Sequence, residues 1–164
     1  MSLWHLTVAT EGRLPMIADE AAARKVVRAH VRLAGDQMAL FSAVDEHVHV
    51  VALASDEEVG WLGRTLSLGL RPVAGAPVAP AHRRRVESRA HAESLLRYLL
   101  TQVGHHGLPV IPALWSGSCF QDLVGARLLA GLRLPIPEAL PPFRLPQAVE
   151  IVGRFRADRR CAPG

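Results

Sequence analysis

Two histidines, His47 and His49, occupy alternate positions in the run HVHVVALA, which has the composition of a buried β-strand. Residues i and i+2 of a strand point to the same face, about 7 Å apart along the chain, so both imidazoles would reach a single cation. The even positions, from Val48 to Ala54, would then cover an apolar core. Because the chain has eight histidines, an H-x-H pair also arises easily by chance, and a pair of buried, hydrogen-bonded histidines is the alternative interpretation.

Tyr98 is the only tyrosine in the chain and lies in a segment with a helical pattern. At about 100° per residue, it falls away from the apolar stripe of that helix and among polar neighbours, and Gln102 follows one turn later on the same arc. One helix would therefore present a phenol and a carboxamide together, which packing alone does not explain. The alternative is a core tyrosine with only its hydroxyl in water. The apolar stripe consists of Leu95, Leu96, Leu99, Leu100 and Val103.

Arginines concentrate just before this helix and on it, at Arg83, Arg84, Arg85, Arg89 and Arg97. We expect them to contact the phosphates of a nucleic acid beside the tyrosine. A solvated charged face is the alternative. The net charge of +4 and the sequence pI of about 10.0 permit nucleic-acid binding without requiring it.

The sequence gives little support for a serine or thiol nucleophile, a cysteine-based site, or a secreted or membrane protein. The run from Ser116 to Cys119 offers hydroxyl and thiol groups, but it lacks a G-x-S-x-G elbow and a companion acid–base pair. Neither Cys119 nor Cys161 belongs to a C-x-x-C pair, so neither a thiolate zinc site nor a disulfide scaffold is expected. The chain shows no signal-peptide pattern and no apolar run of about 18 residues, so we expect a cytoplasmic protein that does not span a membrane.

The elements that must position these residues follow the order β-α-β-β-α-β-α. This order predicts one antiparallel sheet with helices packed on it, a ferredoxin-like α+β fold. Residues 1–131 would form this domain, and the Pro- and Arg-rich residues 132–164 would be a poorly ordered tail. The Pro-rich run from Arg71 to Ala81 is expected to exclude helix, and the second half of 113–132 is expected to be helical. Strands are expected at Leu3–Thr10, Gln37–Asp45, His47–Ala54 and 82–89, and helices at about 20–34, 55–70 and 88–105.

The strand reading EHVH, followed about fifty residues later by a helix reading RYLLTQ, resembles the single-tyrosine HUH transposases. These are the transposases of simple insertion sequences and their relatives associated with repeated extragenic palindromes (REP). The resemblance covers about residues 1–106, and the run HHGLPVIPALWSGSCF is similar to the region that follows the tyrosine helix in the REP-associated branch.

The resemblance implies a role for each matched residue. His47, His49 and Gln102 would bind a divalent metal, Mg or Mn, and Tyr98 would attack single-stranded DNA and become linked to a 5′ phosphate. It also implies DNA hairpins or palindromic ends as partners, and a homodimer. The metal suits the chemistry because a free phenol, with a pKa of about 10, is a poor nucleophile at neutral pH.

One departure from the family pattern concerns the pair before the first histidine, which is Asp45-Glu46 where a neutral pair is usual. Two carboxylates there would either strengthen metal binding or repel DNA. Two alternatives to an active enzyme therefore stay open. One is a domesticated or inactive module that binds a nucleic-acid hairpin without cutting it, and the other is a ferredoxin-like interaction domain with an incidental H-x-H.

Overall fold

A computed structural model of the chain describes residues 1–124, 126–127 and 150. The expected domain limit at residue 131 and almost all of the expected tail, 132–164, lie outside the described residues. The strands are β1 (Ser2–Ala9), β2 (Met38–Ala43), β3 (His47–Ala54) and β4 (His82–Arg85), and the α-helices are α1 (Glu20–Ala34), α2 (Asp56–Ala74), α3 (Arg89–His105) and α4 (Phe120–Leu123).

The four strands form one sheet in the order β2-β3-β1-β4, and every neighbouring pair is antiparallel. The two central strands are β1 and β3, so the strand that carries the histidine pair is paired on both sides. Thr7 lies opposite His49, and Arg84 lies opposite His5. The predicted ferredoxin-like α+β fold is confirmed.

Strand alternation divides the sheet into an apolar face and a histidine face. On the apolar face, Leu6 and Val50 are fully buried, and α1 and α2 pack against this side with Val26 and Leu62 in the same core. On the histidine face, α3 brings Tyr98 against His49. The sheet thus separates the main core from the candidate site.

The three long helices begin at side-chain caps, close to the helix starts expected at about residues 20, 55 and 88. Asp19 accepts a hydrogen bond from the Ala22 amide at 2.8 Å, and Ser88 caps α3 in the same way. At the start of α2, Ser55 and Glu58 form a reciprocal capping box. Because each cap satisfies an otherwise free amide, capping residues allow these helix starts to be predicted from the sequence.

The expectation that helix ends before Arg71 is wrong, because α2 continues to Ala74 with Pro72 inside its last turn. A proline this close to the end removes only one helical hydrogen bond. Burial of Ala74 and a left-handed Gly75 (φ 65°) hold and end the extra turn. In the described part of the chain, no helix is long and apolar enough to cross a membrane.

The segment after α3 seals the free edge of β2. Nε1 of Trp115 donates a hydrogen bond to the Ala43 carbonyl at 2.8 Å, and the Cys119 amide donates to the Phe41 carbonyl at 3.2 Å. A Cβ at Gly117 would lie 2.5 Å from the oxygen of Ala43, so only glycine fits there. Of the expected helix in the second half of 113–132, the described residues contain the short α4.

Candidate active site

His47 and His49 lie side by side on the histidine face of β3, and both are almost fully buried. Their Nε2 atoms are 2.8 Å apart, and the rings meet edge to face. The i, i+2 spacing therefore brings the two imidazole nitrogens to one point.

Burial keeps these imidazoles neutral. It lowers the pKa of His49 to about 3 and also lowers the pKa of His47, and the neighbouring histidines add to both shifts. The side chain of Gln102 is close enough to both rings to oppose these shifts in part. Neutral imidazoles have a free nitrogen lone pair, which is the form that binds metal ions.

Tyr98 reaches this pair from α3. Its hydroxyl oxygen lies 3.5 Å from Nε2 of His49, and its ring stands edge to face against the same imidazole. The side chain is 44% exposed, so the hydroxyl is reachable from solvent. The helix thus presents the phenol at the rim of the histidine pair.

Gln102 is placed differently from the expectation of a polar arc, because its side chain is only 1% exposed. Gln102 and Leu95 are seven residues apart, about 20° around the helix, and therefore share the face that packs on the sheet. Nε2 of Gln102 donates a hydrogen bond to the Tyr98 carbonyl at 3.4 Å. Its Oε1 is buried and has no hydrogen-bond partner in the part of the chain that the structure describes.

A cavity of about 460 Å³ opens over these groups, with His47, His49 and Tyr98 in its wall. Strand β4 adds Arg84, and α3 adds His91. Tyr98 is partly exposed, so the cavity is open to solvent on its side.

Two residues of β1 that the sequence analysis did not single out also contact the pair. Nε2 of His5 lies 3.0 Å and Oγ1 of Thr7 lies 3.2 Å from Nδ1 of His49. Burial lowers the pKa of His5 to about 4. The only signal in the sequence was the polar alternation of β1, and it becomes informative only with the β1–β3 register.

The two carboxylates before His47 are both partnered. Nη1 of Arg13 lies 2.8 Å from Oε1 of Glu46, and that carboxylate is 3.6 Å from Nδ1 of His47. Asp45 lies 2.8 Å from Nδ1 of His106. Arg13 thus balances the charge of Glu46, and neither carboxylate lines the cavity.

The five arginines expected at the site do not act as one group. Arg84 lines the cavity, whereas Arg83 lines a second cavity. Arg85 donates a hydrogen bond to the hydroxyl of Ser2. Arg89 is ion-paired with Glu93 at 3.2 Å, and Arg97 is exposed on α3. Period-two alternation along β4 explains why Arg83 and Arg84 line different cavities, because neighbouring strand residues face opposite sides of the sheet.

Cys119 is fully buried, and burial raises the pKa of its thiol to about 12. A buried thiol with so high a pKa is not a nucleophile at neutral pH. Ser116 and Ser118 are also buried. The sequence analysis already disfavoured this run as a catalytic segment, and the packing agrees.

The donor set suits a divalent ion. Two neutral imidazoles and an unpartnered, buried amide oxygen offer mixed nitrogen and oxygen ligation without thiolate, which fits Mn or Mg. In the described residues no group of three or more His, Cys, Asp or Glu side chains is arranged to hold a metal ion. The candidate set contains only two residues of those types, His47 and His49, and would take its third donor from the Gln102 amide.

Comparison with known proteins finds a similar solved structure but no similar sequence. No family model and no curated protein sequence matches the chain. A solved structure of a REP-associated tyrosine transposase bound to a REP hairpin is similar over 87% of this chain and 93% of that chain. The TM-score is 0.59 and the sequence identity 14%. At this identity the likeness shows that the two proteins share a fold.

Proposed function

We propose that the chain cleaves and rejoins single-stranded DNA through Tyr98, with Mg or Mn held by His47, His49 and Gln102. One observation carries the proposal: the Tyr98 hydroxyl lies 3.5 Å from Nε2 of His49, in an open cavity that also contains the neutral imidazole of His47. This arrangement joins a nucleophile to a pair of metal-binding nitrogens.

His47 and His49 would hold the ion through Nε2, and Gln102 through Oε1. When bound, a divalent ion supplies charge neutralisation at the non-bridging phosphate oxygens and polarises phosphorus. The chain's own residues position the nucleophile and the substrate phosphate. The α3 backbone fixes Tyr98 beside the histidines, and Arg84 lies in the cavity wall where it can contact a neighbouring phosphate.

In the proposed cleavage step, a bond from tyrosine to phosphorus replaces the bond from phosphorus to the 3′ oxygen. The phenolic oxygen of Tyr98 forms a bond to phosphorus, its proton leaves to solvent, and the bond from phosphorus to the 3′ oxygen breaks. The 3′ oxygen takes up a proton and leaves as a 3′ hydroxyl, while the 5′ phosphate stays on the tyrosine. Rejoining is the reverse attack by a 3′ hydroxyl.

The proposed partner is DNA that carries a hairpin beside the single-stranded segment. The similar solved structure contains a REP hairpin. We further propose a homodimer, since joining two DNA ends requires two sites. Sedimentation that shows only monomer at tens of micromolar protein, with and without DNA, would refute the dimer.

A covalent-capture experiment tests the nucleophile. The protein is incubated with Mn and a pool of labelled single-stranded hairpins with randomised flanks, and then denatured. We expect a protein–DNA adduct, which sequencing of the captured strands would trace to a preferred site. Tyr98→Phe should abolish the adduct and retain hairpin binding. His49→Ala should abolish it together with Mn binding.

Each other outcome decides against cleavage by this tyrosine. An adduct that persists in Tyr98→Phe places the nucleophile elsewhere. Hairpin binding without any adduct, from the wild type and both variants, would identify the chain as a binding module that does not cut DNA.

A further inference from the structure

A second cavity, of about 490 Å³, lies on the apolar side of the sheet between α2 and β4. We call it the α2 groove and define it by Gly60, Gly63, Arg64, Ser67, Arg71 and Arg83. The α2 members recur at intervals of three and four residues, so they form one stripe along the helix. The groove has no part in the site around Tyr98.

The α2 groove carries three uncompensated positive charges. Arg64, Arg71 and Arg83 are all exposed, and within residues 1–124 none has a carboxylate at ion-pair distance. Other arginines of the fold do have one, for example Arg13 and Arg89. An uncompensated cluster that lines a cavity is typical of an anion site.

Ser67 supplies a second, independent observation. Its side chain is only 5% exposed and lines the groove, and its buried Oγ has no hydrogen-bond partner among the described residues. A serine inside a helix usually bonds to the carbonyl four residues earlier, which Ser67 does not. A buried hydroxyl left unpaired is costly unless a ligand completes it.

Two glycines make room for the guanidinium. A Cβ at Gly60 would lie 2.9 Å from Nη1 of Arg83, and one at Gly63 would lie 3.5 Å from its Cδ. The side chain of Arg83 therefore lies along the glycine side of α2 and lines the groove together with Arg64. Larger residues at these positions would displace it.

An apolar row runs beside the charged row on α2. Trp61 is 63% exposed and Leu68 is 52% exposed. They are seven residues apart, as are Arg64 and Arg71, so each pair is separated by about 20° around the helix. Parallel rows of arginines and an exposed aromatic are the combination that single-stranded nucleic acids bind, through phosphates and stacked bases.

Strand β4 connects this groove to the candidate active site. It is an edge strand, and its neighbouring residues Arg83 and Arg84 point to opposite faces. Arg84 lines the cavity of Tyr98, and Arg83 lines the α2 groove. A DNA strand that passes over this edge would meet an arginine on each face of the sheet. The two arginines are neighbours in β4, about 3.4 Å apart along the strand.

We propose that the α2 groove is a second binding site for the DNA, which holds the sugar–phosphate backbone of the same strand after it crosses the β4 edge. Arg64, Arg71 and Arg83 bind its phosphates, Ser67 donates a hydrogen bond to one phosphate oxygen, and Trp61 stacks on a base. The proposal rests on the proposed function for its ligand, but it does not require cleavage.

Salt-dependent binding tests the groove. A labelled oligothymidylate of about 24 nucleotides, longer than one typical site, is titrated with the full chain at several salt concentrations. Arg64→Ala/Arg71→Ala should weaken binding about tenfold and reduce the salt slope by about 1.4, at about 0.7 per lost phosphate contact. The matched control is Arg28→Ala/Arg32→Ala, which removes from α1 two exposed arginines that have no ion pair within residues 1–124.

Tryptophan fluorescence locates the DNA independently. The oligothymidylate should quench the wild type, and Trp61→Phe should remove most of that quenching. The Arg64→Ala/Arg71→Ala variant should need a higher DNA concentration for the same quenching. Inorganic phosphate at the same phosphate concentration should not displace the oligonucleotide.

Several results would overturn the proposed DNA site in the α2 groove. An Arg64→Ala/Arg71→Ala variant that binds like its α1 control would do so, as would displacement of the DNA by inorganic phosphate. A variant that loses binding to anionic lipid vesicles but not to DNA would reassign the surface to membranes. If the groove variants bind DNA normally but the wild type forms the Tyr98 adduct, only the proposed groove site is refuted. If the groove variants weaken DNA binding but no adduct forms, only the proposed cleavage is refuted.

Discussion

Nε2 of His5 lies 3.0 Å from Nδ1 of His49, across the pairing of the two central strands. The other nitrogen of His49 faces His47 and the Tyr98 hydroxyl. If that nitrogen is to offer a lone pair to an ion, the ring proton must be on Nδ1, which then donates to His5. In the proposed metal site, His5 would thus be a positioning residue that, with Thr7 on the same nitrogen, sets the tautomer and the ring orientation of His49.

The first prediction concerns His5. His5→Ala should weaken Mn binding about tenfold or more, because Nδ1 of His49 loses its main acceptor. His5→Gln should restore part of the affinity, since an amide oxygen can accept the same hydrogen bond. Calorimetric titration with Mn measures both variants.

The matched control for His5 is His91→Ala, which removes an imidazole from the same cavity without contact to His49. It should bind Mn like the wild type. Equal losses in the His5 and His91 variants would mean that cavity polarity, rather than this hydrogen bond, determines affinity.

The second prediction concerns the unpartnered oxygen of Gln102. Gln102→Met has similar volume and removes a buried polar group, so without metal it should raise the free energy of unfolding by about 1 kcal/mol. Added Mn at about 100 times its Kd should stabilise the wild type by about 2.7 kcal/mol. The variant should lose most of that gain.

Denaturant unfolding with and without Mn checks both halves of the Gln102 prediction. A variant that is less stable without metal, yet responds to Mn like the wild type, would make Gln102 a structural residue. The opposite signs expected here are typical of a side chain kept for binding rather than for packing.

Much of the fold is legible in the sequence because local signals agree with the tertiary structure. The caps Asp19, Ser55 and Ser88 give the helix starts, and the alternation in β3 places His47 and His49 on one face. The predicted end of α2 was wrong because a proline in the last turn of a helix costs only one hydrogen bond. Composition alone therefore overstated the effect of Pro72.

Parts of the site depend on register, which a single sequence does not specify. His5 reaches His49 only because β1 pairs antiparallel with β3. Likewise, alternation predicts that Arg83 and Arg84 diverge, but only the pairing of β4 with β1 decides which of them faces Tyr98. Gln102 appeared polar on a helical wheel, although it borders the stripe that the sheet buries.

The third prediction concerns pH and stability. His30 is fully buried, and burial lowers its pKa from 6.5 to about 4, while Nδ1 lies 2.9 Å from the Val26 carbonyl. Between these two pH values the unfolded chain binds a proton that the folded chain does not. Stability should therefore fall as the pH drops from about 6.5 to about 4, by about 3 kcal/mol from this residue.

His30→Leu isolates that contribution, because leucine fills similar space and does not titrate. Denaturant unfolding at several pH values should show a shallower loss for His30→Leu than for the wild type. His5 and His49, whose pKa values are also lowered, should leave a residual pH dependence in the variant. Parallel curves for the two proteins would show that His30 does not contribute.

The last prediction concerns the ion pair between Arg13 and Glu46 at the edge of the cavity. Without the guanidinium, Glu46 would face the DNA with an unbalanced negative charge, 3.6 Å from Nδ1 of His47. Arg13→Ala should thus weaken oligonucleotide binding several-fold, most strongly at low salt. Adding Glu46→Gln should restore much of the loss, because it removes the unbalanced carboxylate. Arg24→Ala, which breaks the Arg24–Glu20 pair on α1, is the control and should change binding little. If the double variant binds as weakly as Arg13→Ala, Arg13 contacts the DNA directly, and balancing the carboxylate is not its role.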